Sequence, residues 1–436
     1  MTAELRTVKT PAEQALSDAY TSARANLPGK GVFATLREDA FRRFDAKGLP
    51  HRRVEEWKYT DLRALMRDVK PLAGAPDASA KARAKNTGKL LAGIDCRRLV
   101  FVDGAFAAEL SDLSSEQGLT IGSLADALAK GDGLVTAHVG KVIETDDAAV
   151  ALNTALMGDG VVVRIAAGTA VKRPILIDFV SGGQPVSIFL RSLVVVEKGA
   201  KALIIENHDA QASQINSALE LVVGDNADVD YVKIARGQNL HIGTLMASIG
   251  AKAKVNTFGF TLGGATVRHQ SFVRFDGEGT VAGIRGTTLL KGKEHVDTTL
   301  VIDHAAGRCE SREQFRSVLD GESRGIFQGK IVVRQHAQKT DAKMTSNALL
   351  ISDDAEADNK PELEIFADDV QCGHGATSGA LDESLKFYLM ARGIPAKEAE
   401  ALLIQAFVGE IIEAVTHDGL REALLNAAIE WLKERE

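Results

Sequence analysis

The spacing of apolar residues changes twice along the chain. At both ends they recur three or four positions apart. In the long middle they gather in short β-branched runs. Thr10-Pro11-Ala12-Glu13 carries a capping-box spacing with proline at the first helical position, which predicts a helix to about Ala25. Leu27-Pro28-Gly29 stops it, and a second apolar-periodic stretch runs from about Val32 to Asp45. His51 to Thr60 is dense in charge and aromatics. Residues 71–86 hold Ala, Lys, Pro and Gly with few large apolar side chains and read as a linker. Leu99-Val100-Phe101-Val102 reads as a strand turning at Asp103-Gly104, and residues 123–157 form a helical excursion.

From about Gly160 the pattern becomes β. Val161-Val162-Val163, Ile175-Leu176-Ile177, Leu193 to Val196 and Leu203-Ile204-Ile205 are separated by turn residues. Gly199, Gly224, Gly250 and Gly277 fall 25, 26 and 27 residues apart. In Ala251 to Asn256, small apolar and polar residues alternate, so they face opposite ways on a strand. A recurring glycine turn at this period fits a β-solenoid, in which each turn stacks on the one before. An ordinary β-sandwich also gives short strands and glycine turns, so periodicity leaves both folds open.

The β signal ends near Val370. Three helical segments follow, the first from about Asp382 to Arg392 with Leu381, Leu385 and Tyr388 on one face, ended by Gly393-Ile394-Pro395. The second carries Leu403, Phe407, Ile411 and Ala414, and the third Leu420, Leu424, Ala427 and Trp431. Their opposite faces hold Glu400, Glu410, Glu413, Glu422 and Glu430. Amphipathic helices of this kind bury one face on the β body or on a partner.

Composition narrows the function. At 436 residues the chain is long enough for two or three folding units, or one elongated one. A net charge of −7 without a basic tract lacks the electrostatic footprint of a nucleic-acid binder. Three cysteines, Cys96, Cys309 and Cys372, without a CxxC are no disulfide framework and fit a reducing compartment. The amino terminus lacks an apolar signal region, and no long apolar run predicts a membrane span. The expectation is a cytoplasmic protein.

Several catalytic motifs are absent from the sequence. It has no GxxxxGK[ST], HExxH or GxSxG, so ATP hydrolysis by this chain alone is not expected. His208, His241, His269, His295, His304 and His336 fall in β segments, where a lone histidine is usually a hydrogen-bonded or surface residue. Cys309 reads as a small apolar filler. Cys372-Gly373-His374 differs, because positions i and i+2 of a strand share a face and would set a thiol beside an imidazole. Both groups ligate zinc and iron, and an imidazolium can activate a thiol. Asp368 and Asp369 precede the pair and could orient the histidine. Two ligands do not make a site, and on the pair alone a buried cysteine beside a surface histidine is the favoured reading.

The flanks of that pair carry a resemblance. Lys339-Thr340-Asp341, Asn347-Ala348-Leu349-Leu350 and the run from Ala357 to Thr377, followed by Tyr388 to Ile394, resemble the signature of the SufB/SufD family of iron–sulfur cluster assembly scaffolds. Arg52 to Thr60, Val100 to Phe106 and Leu193 to His208 resemble its shorter, SufD branch. The resemblance covers nearly the whole chain. It implies a mainly β fold, a right-handed parallel β-helix flanked by helical regions at both ends. It also implies assembly with a SufB subunit at the β-helix edge and with the SufC ATPase at the C-terminal helices, where Phe407 and Ile411 lie. His374 and Cys372 match the family's Cys-x-His segment, which implies contact with a transient iron–sulfur cluster shared with SufB. Gln371 and Gly373 stand where Lys and Ser are commoner, and Asn359 where Thr is usual.

The expected organisation is a helical region and linker over 1–95, a β-helix over 96–375, and a SufC-docking helical domain over 376–436. The expected role is a non-catalytic scaffold subunit. A solenoid adaptor without a metal role and a Cys372/His374 dyad enzyme are the alternatives. The edge that would meet SufB is also able to pair with a second copy as a homodimer.

Overall fold

The computed structural model describes residues 9–85, 89–209 and 213–434. The remaining residues, which include the outermost parts of the expected terminal regions and the end of the expected linker, lie outside it.

The chain opens with α1 (Pro11–Ala23), α2 (Val32–Lys47), the short α3 (Leu62–Leu65) and α4 (Ala78–Ala84). The capping box forms: the Glu13 N–H donates to Thr10 Oγ1 at 3.3 Å, and the Thr10 N–H donates to Glu13 Oε2 at 2.7 Å. Strand β1 (Arg97–Val102) and β2 (Ala105–Phe106) flank the turn at Asp103 and Gly104, both with positive φ. Then come β3 (Leu119–Ser123) and the helical excursion α5 (Leu124–Lys130), α6 (Gly133–His138) and α7 (Ala148–Leu156).

The strands that follow alternate between two sheets. β4 (Val161–Ile165) and β5 (Ile175–Val180) begin the coil. The next coils are β6 (Ser187–Val196) with β7 (Lys201–Asp209), β8 (Gln214–Val223) with β9 (Asp228–Arg236), and β10 (Leu240–Ile249) with β11 (Lys254–Leu262). Then come β12 (Thr266–Phe275) with β13 (Val281–Leu290), and β14 (His295–His304) with β15 (Glu310–Leu319). β16 (Arg324–Val333) with β17 (Asp341–Leu350), and β18 (Glu356–Ile365) with β19 (Gln371–Gly379), complete the stack. From β5 onward odd strands pair in parallel with odd and even with even, each two strands along. That connectivity is a parallel β-helix of about seven turns, and it decides between solenoid and sandwich.

One corner is fixed by backbone. Gly199, Asn226, Lys252, Gly279, Arg308 and Lys339 all have positive φ, one in each coil. Each donates its N–H to a carbonyl of the next coil, from Gly199 to Asp225 at 2.8 Å through Lys339 to Asp369 at 2.7 Å. The glycine period belongs to the same corner. A Cβ on Gly277 would sit 2.0 Å from the Ala251 nitrogen, and one on Gly224 would sit 2.6 Å from that of Lys198. These positions are glycine because adjacent coils touch there. Sequence offsets between bonded partners in adjacent coils rise from 26 residues, at Asn256 and Asp230, to 30, at Thr377 and Asn347.

Between the sheets lies the main core, built largely of Val, Ile, Leu and Phe. The N-terminal helices cover the even-strand sheet, with Leu16, Phe44, Trp57 and Leu152 packing beside Phe189 and Ile242. Trp57 donates to Asp147 at 2.8 Å, and the Arg268 guanidinium lies 4.0 Å from the Trp57 ring centre. The residues read as a linker do more than connect. Leu72 bridges to Ser187, and α4 buries Ala80 and Ala84 against Val100 and Val102, where small side chains permit close packing.

The C-terminal helices are α8 (Glu383–Ala391), α9 (Ala396–Ile412) and α10 (Asp418–Glu434). The last two lie on the odd-strand sheet, with Ile404, Val408, Leu420 and Leu424 packing against residues such as Ile205, Phe260 and Val318. Among the described residues no helix is long and apolar enough to cross a membrane.

Candidate functional site: the open end of the β-helix

Every coil but the last is covered by its successor. β18 and β19 are the outer strands of their sheets, each paired on one side only. The β signal therefore reaches Gly379, beyond Val370. The extra strand holds three glycines in nine residues and takes its conformation from pairing with β17.

Parallel register shows which way its side chains face. On β17 Ala342, Met344 and Ser346 are buried while Lys343 and Thr345 are exposed, so the even positions face the lumen. Cys372 pairs with Ala342, His374 with Met344 and Ala376 with Ser346. Cys372 and His374 therefore share the luminal face of the last coil, ~6.6 Å apart along the strand. Cys372 is half-buried against the core, and His374 is exposed. Across the opening, the Ser346 hydroxyl donates to Asn359 Oδ1 at 2.7 Å, tying β17 to β18.

The electrostatics disfavour a nucleophilic thiol. Burial pushes the Cys372 thiol up, and the charges of Asp341 and Glu313 push the same way, against a smaller pull from the Ala342 backbone. Among the described contacts no hydrogen bond joins Cys372 to His374. Asp369 is paired with Lys339 at the corner, so it is engaged away from the histidine. A thiol that holds its proton is a poor nucleophile. It remains a metal ligand once a cation displaces that proton.

Below the opening is a group the motif reading missed. Glu313 pairs with Met344 in register and so stands two strands beneath His374 in the same luminal column. It is fully buried, and neither carboxylate oxygen has a hydrogen-bond partner. Burial raises its pKa to about 7, against weaker pulls from Ser311, Arg312 and Arg285. Only the register of β15 against β17 could have linked it to Cys372-Gly373-His374.

The other two cysteines pack against apolar cores. Cys309 is buried, and its Sγ–H faces the Gly277 carbonyl at 3.3 Å. Cys96 packs against the C-terminal helix core, and burial raises its thiol. Among the described residues no group of three or more His, Cys, Asp or Glu side chains could hold a metal ion. The open end offers two ligand side chains.

Phe407 and Ile411, expected as docking residues, are engaged by the chain itself. Ile411 is 5% exposed inside the core under the C-terminal helices. Phe407 packs on that core, and Arg316 of β15 lies 4.9 Å from its ring centre. Arg316 also bonds the Phe407 carbonyl and pairs with Glu410 at 2.8 Å. Both residues face the chain's own sheet because burying that face on the neighbouring β surface satisfies the helix internally. On the C-terminal helices the apolar surface left open is mainly on α8, which has no buried residue: Leu385, Phe387, Tyr388 and Met390 are all exposed, Phe387 at 72%.

A parallel β-helix with an open, thiol- and imidazole-bearing last coil and helical regions on both sheets defines a recognisable class. A family model described as SUF system FeS cluster assembly, SufBD core domain, matches residues 179–407, and one for the SufBD protein N-terminal region matches residues 10–177. The chain belongs to the SufB/SufD family.

Within it the chain is SufD-like. It is 32% identical to the iron-sulfur cluster assembly protein SufD of Escherichia coli over 388 residues, covering 87% of this chain and 88% of that protein. It is 31% identical to an iron-sulfur cluster assembly SufBD family protein of Synechocystis sp., covering 88% of each. It is 25% identical to SufD of Bacillus subtilis, covering 86% and 87%.

Proposed function

We propose that this chain is the SufD-like scaffold subunit of the SUF system and pairs through its last coil with a SufB subunit. The nascent iron–sulfur cluster is its cargo, held transiently at that seam by His374 and, secondarily, Cys372. The observation that carries this reading is the position of His374: luminal by register, yet exposed because no coil follows it. A partner strand laid on β19 would bury the imidazole and supply the missing ligands. His374 is the primary ligand in this reading, and Cys372 joins only when metal displaces its proton.

No catalytic step is assigned to the chain. The dyad enzyme is disfavoured by the raised Cys372 thiol. Energy input would come from SufC, docked on the C-terminal helices. The exposed Leu385, Phe387, Tyr388 and Met390 of α8 are the contact we assign, in place of Phe407 and Ile411.

The test is maturation of iron–sulfur enzymes in cells that depend on this chain, with His374→Ala in place of wild type. Loss of maturation with SufB and SufC still co-purifying supports the reading. Normal maturation with the complex intact favours the adaptor without a metal role.

A further inference from the structure

We propose that the groove between α10 and the turns of the β-helix docks an extended segment of a partner protein, one with basic side chains four positions apart. The groove has a volume of about 850 Å3. One wall is α10. The other is formed by Leu90, Ile94 and the turns that follow β9, β11 and β13. Neither the open last coil nor α8 contributes a lining residue.

Charge selects the class of occupant. Four carboxylates line the groove, Glu294, Glu422, Glu430 and Glu434, against two bases, Arg236 and Lys291. Both bases are already paired, Arg236 with Asp209 at 2.7 Å and Lys291 with Glu434 at 3.2 Å. Glu294 is buried, and it accepts from Gln238 Nε2 at 3.0 Å and from the Lys291 N–H at 2.9 Å. Glu422 and Glu430 are exposed, and among the described residues their side chains have no hydrogen bond or ion pair. Such a groove repels an anion and attracts a chain with two separated positive charges.

Spacing selects its shape. Glu422, Asn426 and Glu430 stand four residues apart on one ridge of α10, ~6 Å per step along the helix. An extended chain presents the same face every second residue, ~6.6 Å per step. A segment in the order basic, any, polar, any, basic therefore sets its charges against the two glutamates and its middle side chain against Asn426. The two intervening side chains turn to the opposite wall. Leu90, Ile94 and Leu262 are only partly buried there, so apolar residues fit. Trp431 also lines the groove, and its buried indole N–H has no acceptor. A helix keeps its carbonyls for its own amides, whereas an extended chain has carbonyls free to accept that hydrogen.

The probe is the peptide acetyl-Lys-Val-Gln-Val-Lys-amide, titrated calorimetrically into the full chain. Saturable one-to-one binding is expected. Glu422→Gln together with Glu430→Gln should weaken it about tenfold, as loss of two ion pairs does. Both positions are exposed, so this variant should keep the wild-type melting temperature. Glu398→Gln removes an exposed acid of α9 outside the groove and should leave the affinity unchanged. The isomer acetyl-Lys-Lys-Gln-Val-Val-amide has the same charge and composition, and should bind several-fold more weakly. Absence of saturation, equal affinity for the two peptides, or an affinity untouched by the double variant would overturn the proposal.

Discussion

Met344 and His374 occupy the same luminal column one coil apart, yet the thioether is 1% exposed and the imidazole lies open. The difference is the coil that follows one and not the other. His374 thus contributes little packing, and His374→Ala should change unfolding free energy by under about 0.5 kcal/mol. Chemical denaturation checks the stability, and enzyme maturation in cells checks the function, which should be lost. Cys372→Ser should have the smaller cellular effect.

Glu313 makes stability fall as pH rises. Its folded pKa of about 7 lies above its ordinary value of 4.5, so between those values the folded chain keeps a proton that the unfolded chain releases. Stability is full below the lower value, declines across the interval and levels off above about 7. The total is of order 3 kcal/mol. Glu313→Gln should flatten that slope in urea unfolding series from pH 5 to 8. Identical slopes in both proteins would show that the acid is not raised.

Arg316 fastens α9 to β15 through the Phe407 ring, the Phe407 carbonyl and Glu410. Arg316→Ala should cost about 1–2 kcal/mol, most of it from the ring and carbonyl contacts, since Glu410 is largely exposed. Limited proteolysis should then cut between β19 and α9 faster than in wild type.

The two apolar faces at the C-terminus should separate by mutation. Phe387→Asp on α8 should leave the melting temperature within a degree or two and abolish pull-down of the SufC ATPase. Ile411→Asp buries a charge and should destabilise by about 3 kcal/mol or more. An unchanged pull-down with Phe387→Asp would move the docking surface elsewhere.

Gly277→Ala should be severe for a substitution of one methyl group. The new Cβ would meet backbone atoms of the preceding coil, which cannot rotate away. A loss of about 3 kcal/mol is expected in thermal unfolding. Gly31→Ala has open space around it and pays only for its positive φ, so it should cost about 1 kcal/mol.

The sequence reading succeeded where structure is local. The Thr10 capping box, the Asp103-Gly104 turn, the excursion over 123–157 and the three C-terminal helices are written in short-range spacing. The glycine period carried the coil length, because close approach between coils admits no side chain. The reading faltered where a segment borrows its structure. Residues 371–379 are poor strand formers and extend only because β17 templates them. Ala80 and Ala84 look like linker residues until β1 is beneath them. Amphipathic spacing found the apolar faces of α8 and α9 but could not say which meets the body and which is left bare. Glu313 gave no signal, because its neighbours are set by register between strands and by facing sheets rather than by sequence distance.

The one-sided pairing of β18 and β19 has a mechanical consequence. In a stack where each turn is held by its neighbours, stability is roughly a sum of nearest-neighbour terms. The last turn has one neighbour where the others have two, so it is the place where the stack frays. Its amide hydrogens should exchange with solvent faster than those of β10 to β13, at the cost of a local opening and not of global unfolding. Anything that settles on this turn becomes its second neighbour. The coil that carries Cys372 and His374 is thus also the one whose order depends most on company, and occupancy and rigidity at this end should rise together.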